Sequence, residues 1–274
     1  MIRARARRPG RLGVLLLAAT LLAGAVPAAA GLADQAGATF GLMTPAFLRV
    51  FQPLEGVVVA REGTRLYLDL GETAGAQVGQ EFTIFRKGQA FAHPVTGKVL
   101  GRYEEVLGHA QVRRVEAGFS EALYIPVPDR PEPRAEDGVR ITRGRIRVAV
   151  TPVIDLTDAR ADVRRVPYLI ATALERSKRF QVTDPLAVSD MLATSSVRVE
   201  EVLARPERAV RIARNLEVAG WLVPILLERN GVVYLDVTWI SAATGTPLFS
   251  RRQALVPGSS VEEQRFPWEP RAED

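Results

Sequence analysis

A chain of 274 residues is long enough for two ordinary domains, and its 36 lysines and arginines against 31 acidic residues give a formal charge of +5. Five of those arginines (Arg3, Arg5, Arg7, Arg8 and Arg11) lie in the first 30 residues, which hold no acid, so the remainder is balanced at 31 against 31. That balance withdraws the main support for a nucleic-acid or anionic-lipid partner, and the lack of cysteine excludes disulfides, thiolate nucleophiles, cysteine-bound metals and a lipidated N-terminal cysteine.

The arginine-rich start is followed by 22 uncharged residues, Leu12 to Ala33, with an apolar core over Leu12 to Val26. A positive n-region, an apolar h-region and small residues at Ala28 and Ala30 spell a secretory signal over residues 1–30. Counted to Ala33 the run also reaches membrane-spanning length, so an uncleaved inner-membrane anchor is the alternative. Cleavage is the expectation, because Pro27 and the Ala28–Ala30 triplet suit a processing site better than a helix core. The expected location is the periplasm or another extracytoplasmic compartment. Contact with a membrane is expected only through this segment, if it is retained.

Residues 31–53 mix small and apolar types without a clear period and read as a loosely structured leader. From 54 to 127 the pattern is that of a small β-domain. Leu66 to Leu70 alternates, and runs at Glu81–Lys87, Lys98–Val106, Ala110–Val115 and Ala122–Val127 are separated by glycine-containing turns, one of them at Leu107–Gly108. Five or six short strands with turns every 8–12 residues predict a barrel or sandwich. The stretch 128–144, rich in proline and charge, reads as an interdomain linker. Its hexapeptide Glu132–Asp137 recurs at Glu269–Asp274, in a tail (257–274) expected to be disordered.

Residues 145–256 change rhythm. A strand at Ile146–Val150 leads to a helix with Val166, Leu169, Ile170, Ala173 and Leu174 on one stripe. Phe180–Thr183 is a strand, and Asp184-Pro185 supplies an N-cap and a proline opening the helix Leu186–Ala193. A third helix begins at Pro206, with Gly220 placed to stop it. Trp221–Arg229 and Val232–Ala242 then flank Asn230-Gly231, a strong hairpin signal because both turn positions need positive φ. Thr244–Pro247 turns into a last strand, Leu248–Leu255. The order βαβααβββ predicts a mixed sheet with helices on one face, and the whole chain is α+β and multidomain. The predicted core of this domain is Val148, Val150, Leu169, Leu174, Leu192, Ile212, Leu216, Val223, Ile225, Leu235, Val237 and Trp239.

On these residues two resemblances rest. The segment Gly56–Ile125, with its glycine and turn spacing, resembles the C-terminal domain of the flagellar assembly protein T family. The segment Arg147–Val256, through LERSKRFQVTD and the final strand–ATG turn–strand, is similar to the TolB amino-terminal domain and to modules of curli-secretion lipoproteins. Both resemblances imply a non-catalytic assembly or docking element of a bacterial cell envelope.

Chemistry-bearing residues are sparse. His93 and His109 have no companion at ligand spacing. Asp155, Asp158 and Asp162 follow the first strand of the second domain and are weak candidates for a divalent cation, lacking EF-hand spacing. Gly97-Lys98 followed by Val99 does not make a phosphate loop, and no Gly-x-Ser-x-Gly elbow occurs. No catalytic constellation emerges, and no cofactor is expected. Trp221, Trp239 and Phe249 sit on consecutive strands as core residues or as a stacking platform for sugar or peptide. The expectation is an exported, non-enzymatic envelope scaffold, of a flagellar basal-body or secretion-type complex, whose partners are envelope proteins or copies of itself. Its Leu248–Leu255 edge would dock by strand addition. The alternative is a periplasmic module binding peptidoglycan or polysaccharide.

Overall fold

The computed structural model describes residues 31–158 and 161–256. The expected signal at 1–30 and the expected tail at 257–274 lie outside the described residues. The chain is α+β, with a closed barrel followed by a mixed sheet carrying helices.

The first finding departs from expectation. Residues expected as a loose leader form helix α1 (Leu32–Val50), whose buried side chains Ala33, Ala36, Phe40, Met43, Phe47 and Val50 recur every three or four residues. Pro45 removes one intrahelical hydrogen bond, yet Thr39 and Thr44 donate their hydroxyls back to the Gln35 and Phe40 carbonyls. Burying that stripe outweighs the broken bond.

The barrel comprises β1 (Leu54–Glu62), β2 (Arg65–Leu68), β3 (Glu81–Ala92), β4 (Val99–Val115), β5 (Ser120–Pro126) and β6 (Gly138–Ile141), closed in the order β1-β2-β5-β4-β3-β6. Leu66, Leu68, Phe82, Ile84, Ala110, Val112 and Val139 are among its fully buried side chains. The Leu107–Gly108 pair expected as a turn lies inside β4. A Cβ on Gly108 would stand 2.4 Å from the Ile125 carbonyl, so this glycine serves close strand approach at a register shift. The expected linker contains β6, which pairs with both β1 and β3. Upstream of it, Glu132 pairs with Arg61, and the buried Asp137 accepts 2.8 and 2.6 Å hydrogen bonds from Arg86 and one of 2.8 Å from the Arg134 N–H. Charge pairing upstream, the β6 ladders and the burial of Val139 and Ile141 together hold this segment down.

Beyond the barrel, β3 and β4 continue as a two-stranded ribbon. β3 meets β6 only at Thr83–Phe85 and β4 meets β5 only from Gly108 onward, so between those limits the two strands pair only with each other.

The second sheet runs β12-β11-β10-β7-β9, formed by β7 (Ile146–Val150), β9 (Phe180–Thr183), β10 (Gly220–Arg229), β11 (Val232–Ser241) and β12 (Pro247–Ala254). A short strand β8 (Ile154–Leu156), absent from the expected order, pairs with β10 beyond β7. Pro224 falls between the two pairings, where a missing N–H breaks no ladder bond. Helices cover both faces, not one. α1 and α2 (Val166–Arg176) pack on the side of Val148, Val150, Leu235, Val237 and Trp239. α3 (Pro185–Thr194), α4 (Val199–Ala204) and α5 (Pro206–Leu216) pack on the side of Ala149, Trp221, Val223 and Ile240. Of the predicted core, Leu169, Leu216 and Ile225 are half-buried and the rest buried. Asp184 caps α3, accepting from the Leu186 N–H at 2.9 Å. α5 ends at Glu217, with φ of 52°, instead of at Gly220, whose missing Cβ makes room for Trp239. Asn230 and Gly231 both take positive φ in the β10–β11 turn.

Candidate functional site

The three aspartates separate. Asp155 on β8 accepts from the Thr157 N–H and hydroxyl at 3.0 and 2.8 Å. Asp158 lies exposed in the following bend. Asp162 is held by Arg164 through a bidentate pair and a backbone hydrogen bond, which lower its pKa to about 2. Among the described residues no group of three or more metal-ligating side chains converges.

The histidines are also apart. His93 sits exposed at the ribbon tip, while His109, half-buried, faces a cleft of about 430 Å³ between the barrel wall and the second sheet. Ile125, Ile141, Ala213 and Val218 give the cleft apolar walls; Arg214 and Glu217 from the end of α5 also line it. Glu81 spans it, accepting from Gln111 of the barrel at 2.8 Å and from Ser241 of the sheet at 2.7 Å, while Gln111 reaches Thr244 at 3.0 Å. These bonds clamp barrel to sheet.

The aromatic platform is corrected. Trp221 is fully buried, donating its indole N–H to the Ala209 carbonyl at 3.1 Å beneath α5. Trp239 points to the opposite face, 4.3 Å centroid to centroid from Phe51 and close to Phe180. Phe249 packs edge-on against Phe47 of α1. The three rings form no common surface, because register sets Trp239 opposite Leu222 and Trp221 opposite Ile240.

What stands open is the outer edge of β12. Its start is covered by the barrel, since a Cβ on Gly79 would lie 2.5 Å from the Leu248 carbonyl. Leu255 donates inward to Val233, so by alternation the N–H groups of Ser250, Arg252 and Ala254 point away from β11. Arg252 is fixed on Asp236, a nearly buried carboxylate, at 2.8 and 2.6 Å, and Ser250 donates to the same carboxylate at 2.8 Å. Arg251 lies exposed, 5.5 Å over the Phe249 ring, with no carboxylate partner among the described residues. The edge therefore offers a ladder of donors and acceptors beside one uncommitted guanidinium. The adjacent arginines at 251 and 252 are legible in the sequence, whereas the Asp236 contact that fixes only one of them is not.

No family model matches the chain, so the flagellar, TolB and curli resemblances are not shown as membership. Over 81 residues the chain is 38% identical to an uncharacterized protein of Aquifex aeolicus, covering 30% of this chain. The chain spans 16% of the length of that curated relative. Among solved structures, the LpoB C-terminal domain from Escherichia coli superposes with a TM-score of 0.36 at 16% identity, over 42% of this chain and 85% of that one. A lipoprotein from Neisseria meningitidis gives 0.36 at 14% identity, over 42% and 82%. The PelC dodecamer from Paraburkholderia phytofirmans gives 0.29 at 17%, over 43% and 74%. Likeness at these TM-scores assigns neither a fold nor a partner.

Proposed function

We propose that the protein is an exported, non-enzymatic scaffold of the cell envelope, residing in the periplasm or another extracytoplasmic compartment and serving a flagellar basal-body or secretion-type assembly. Export rests on the sequence of residues 1–30, and the assembly role on the open edge of β12 from Ser250 to Ala254. An extended segment of an envelope protein, or of a second copy of this chain, adds there as a further strand, and Arg251 favours an acidic side chain beside it. No observation on the aromatic residues favours the polysaccharide-binding alternative, since two of the three rings are core.

The experiment is a photo-cross-linker at Arg251 in the full chain within envelope fractions. A discrete cross-linked species is expected, and Ala254→Pro, which deletes an outward N–H while sparing the β11 ladder, abolishes it. A protein that stays monomeric and uncross-linked, or a species unaffected by the proline, rules the docking edge out. Turnover of any substrate by the purified protein rules out the non-enzymatic reading.

A further inference from the structure

The ribbon of β3 and β4 carries a surface unlike the rest of the molecule. Every residue from Lys87 to Leu100 is exposed, including Phe91, Val95, Val99 and Leu100, and Tyr103 follows at 65% exposure. Phe91 and Tyr103 form an aromatic pair with centroids 5.1 Å apart, the Phe91 ring lying over Gly101. Ala92 and Val99 pair on the opposite face, and Val95, 86% exposed, stands at the tip. A two-stranded hairpin with apolar groups on both faces and at its end is marginal in water.

Charge and backbone together point to the medium that covers it. Between Glu81 and Glu104 the sequence has no acid, while Lys87, Lys98 and Arg102 lie on the ribbon. The acids at its base are committed, Glu104 to Arg140 at 2.6 Å and Glu105 to Arg130 at 3.0 Å. The zero balance beyond residue 30 thus conceals a local cationic arm. The tip also pairs its own backbone N–H groups. His93 N–H donates to Lys98 O at 2.8 Å, and Gly97 N–H to His93 O at 2.9 Å. Val95 and Thr96 N–H donate to the His93 Nδ1 at 3.2 Å, and Lys98 N–H to Thr96 Oγ1 at 3.4 Å. Pro94 has no N–H to leave unpaired.

We infer that this arm is a membrane-surface contact, inserting Val95 and its apolar neighbours into the interface of an anionic lipid bilayer while Lys87, Lys98 and Arg102 meet the headgroups. A tip whose backbone N–H groups are paired costs less to move out of bulk water, whereas the His93 imidazole, the Thr96 hydroxyl and the open ribbon edges above it keep insertion to the headgroup depth. Phe91 and Tyr103, apolar bodies with one polar handle, suit that boundary. The inference stands apart from the β12 edge, which can fail without it.

The chain has no cysteine, so Val95→Cys carries an environment-sensitive fluorophore at one site. The full-length protein is mixed with phosphatidylcholine vesicles with or without phosphatidylglycerol, and Ser195→Cys at the end of α3 is the control, so that anchoring through residues 1–30 does not count. A blue shift at position 95 alone, confined to phosphatidylglycerol vesicles and quenched by headgroup-depth nitroxides, is expected. Lys98→Gln with Arg102→Gln raises the lipid needed for half-maximal shift about thirtyfold, at roughly fivefold per cation. No shift at position 95 on anionic vesicles overturns the inference. So does a shift that appears without lipid as protein concentration rises, which would assign the arm to a second copy.

Discussion

Two residues that no motif advertises hold much of this molecule together. Arg179 donates to the carbonyls of Phe51, Thr142 and Gly144 at 2.6, 2.6 and 2.5 Å, joining the end of α1 and the β6–β7 connection to the start of β9. Burial lowers its pKa, yet a guanidinium stays charged, and its planar fork reaches three acceptors that an ammonium cannot. Arg179→Lys is therefore expected to cost about 2–3 kcal/mol in denaturant unfolding. Asp137 is the second. Burial pushes its carboxyl pKa up, but the Arg86 hydrogen bonds and the Arg134 N–H outweigh that and leave it below the ordinary value. A depressed folded pKa contributes stability that is complete above the unfolded value, about 3.9, and is lost as pH falls through the folded one. Unfolding followed from pH 6 to pH 2 should show a decline that is shallower in Asp137→Asn, the variant being weaker by about 2–3 kcal/mol at neutral pH.

At the scale of elements, α1 closes one face of the second sheet. Phe47 is fully buried between Phe40 and Phe249, and Val256 N–H donates to the Thr39 hydroxyl at 3.0 Å. Phe47→Ala should cost about 3–5 kcal/mol in chemical denaturation, and a loss below 1 kcal/mol would mean that α1 is peripheral. Much of this architecture was legible: the β-rich first half, the Asp184 cap, the Asn230-Gly231 hairpin and most of the second core. The helix was readable too, in the spacing of 33, 36, 40, 43, 47 and 50, but alanines and threonines diluted the stripe and Pro45 argued against it. The four residues of β6 alternate properly, yet proline and charge around them spoke for a linker. The aromatic platform was excluded by arithmetic. A two-residue turn pairing Arg229 with Val232 fixes the whole hairpin register, and Trp221 and Trp239 then fall on opposite faces. The cover of β12 by the Gly79 loop had no local signal, because it joins residues some 170 positions apart.

For the whole molecule, an even charge balance hides segregation. One arginine stands without a carboxylate partner at the β12 edge and three cations sit on an apolar arm, while the acids nearest them, Glu104, Glu105 and Asp236, are spent on other arginines. The proposed docking edge and the proposed bilayer contact lie on different elements, and the cross-linking and fluorescence experiments separate them. The Glu81–Ser241 and Gln111–Thr244 bonds hold barrel and sheet together.

The closing strand β6 also decides where this polypeptide can be divided. A fragment ending at residue 127, the natural cut by composition, would leave β1 and β3 as bare rims of a five-stranded sheet, prone to stick to one another. The indivisible piece runs through Ile141, and only Thr142 to Arg145 remain before the next sheet begins, too short a tether for the two halves to swing independently.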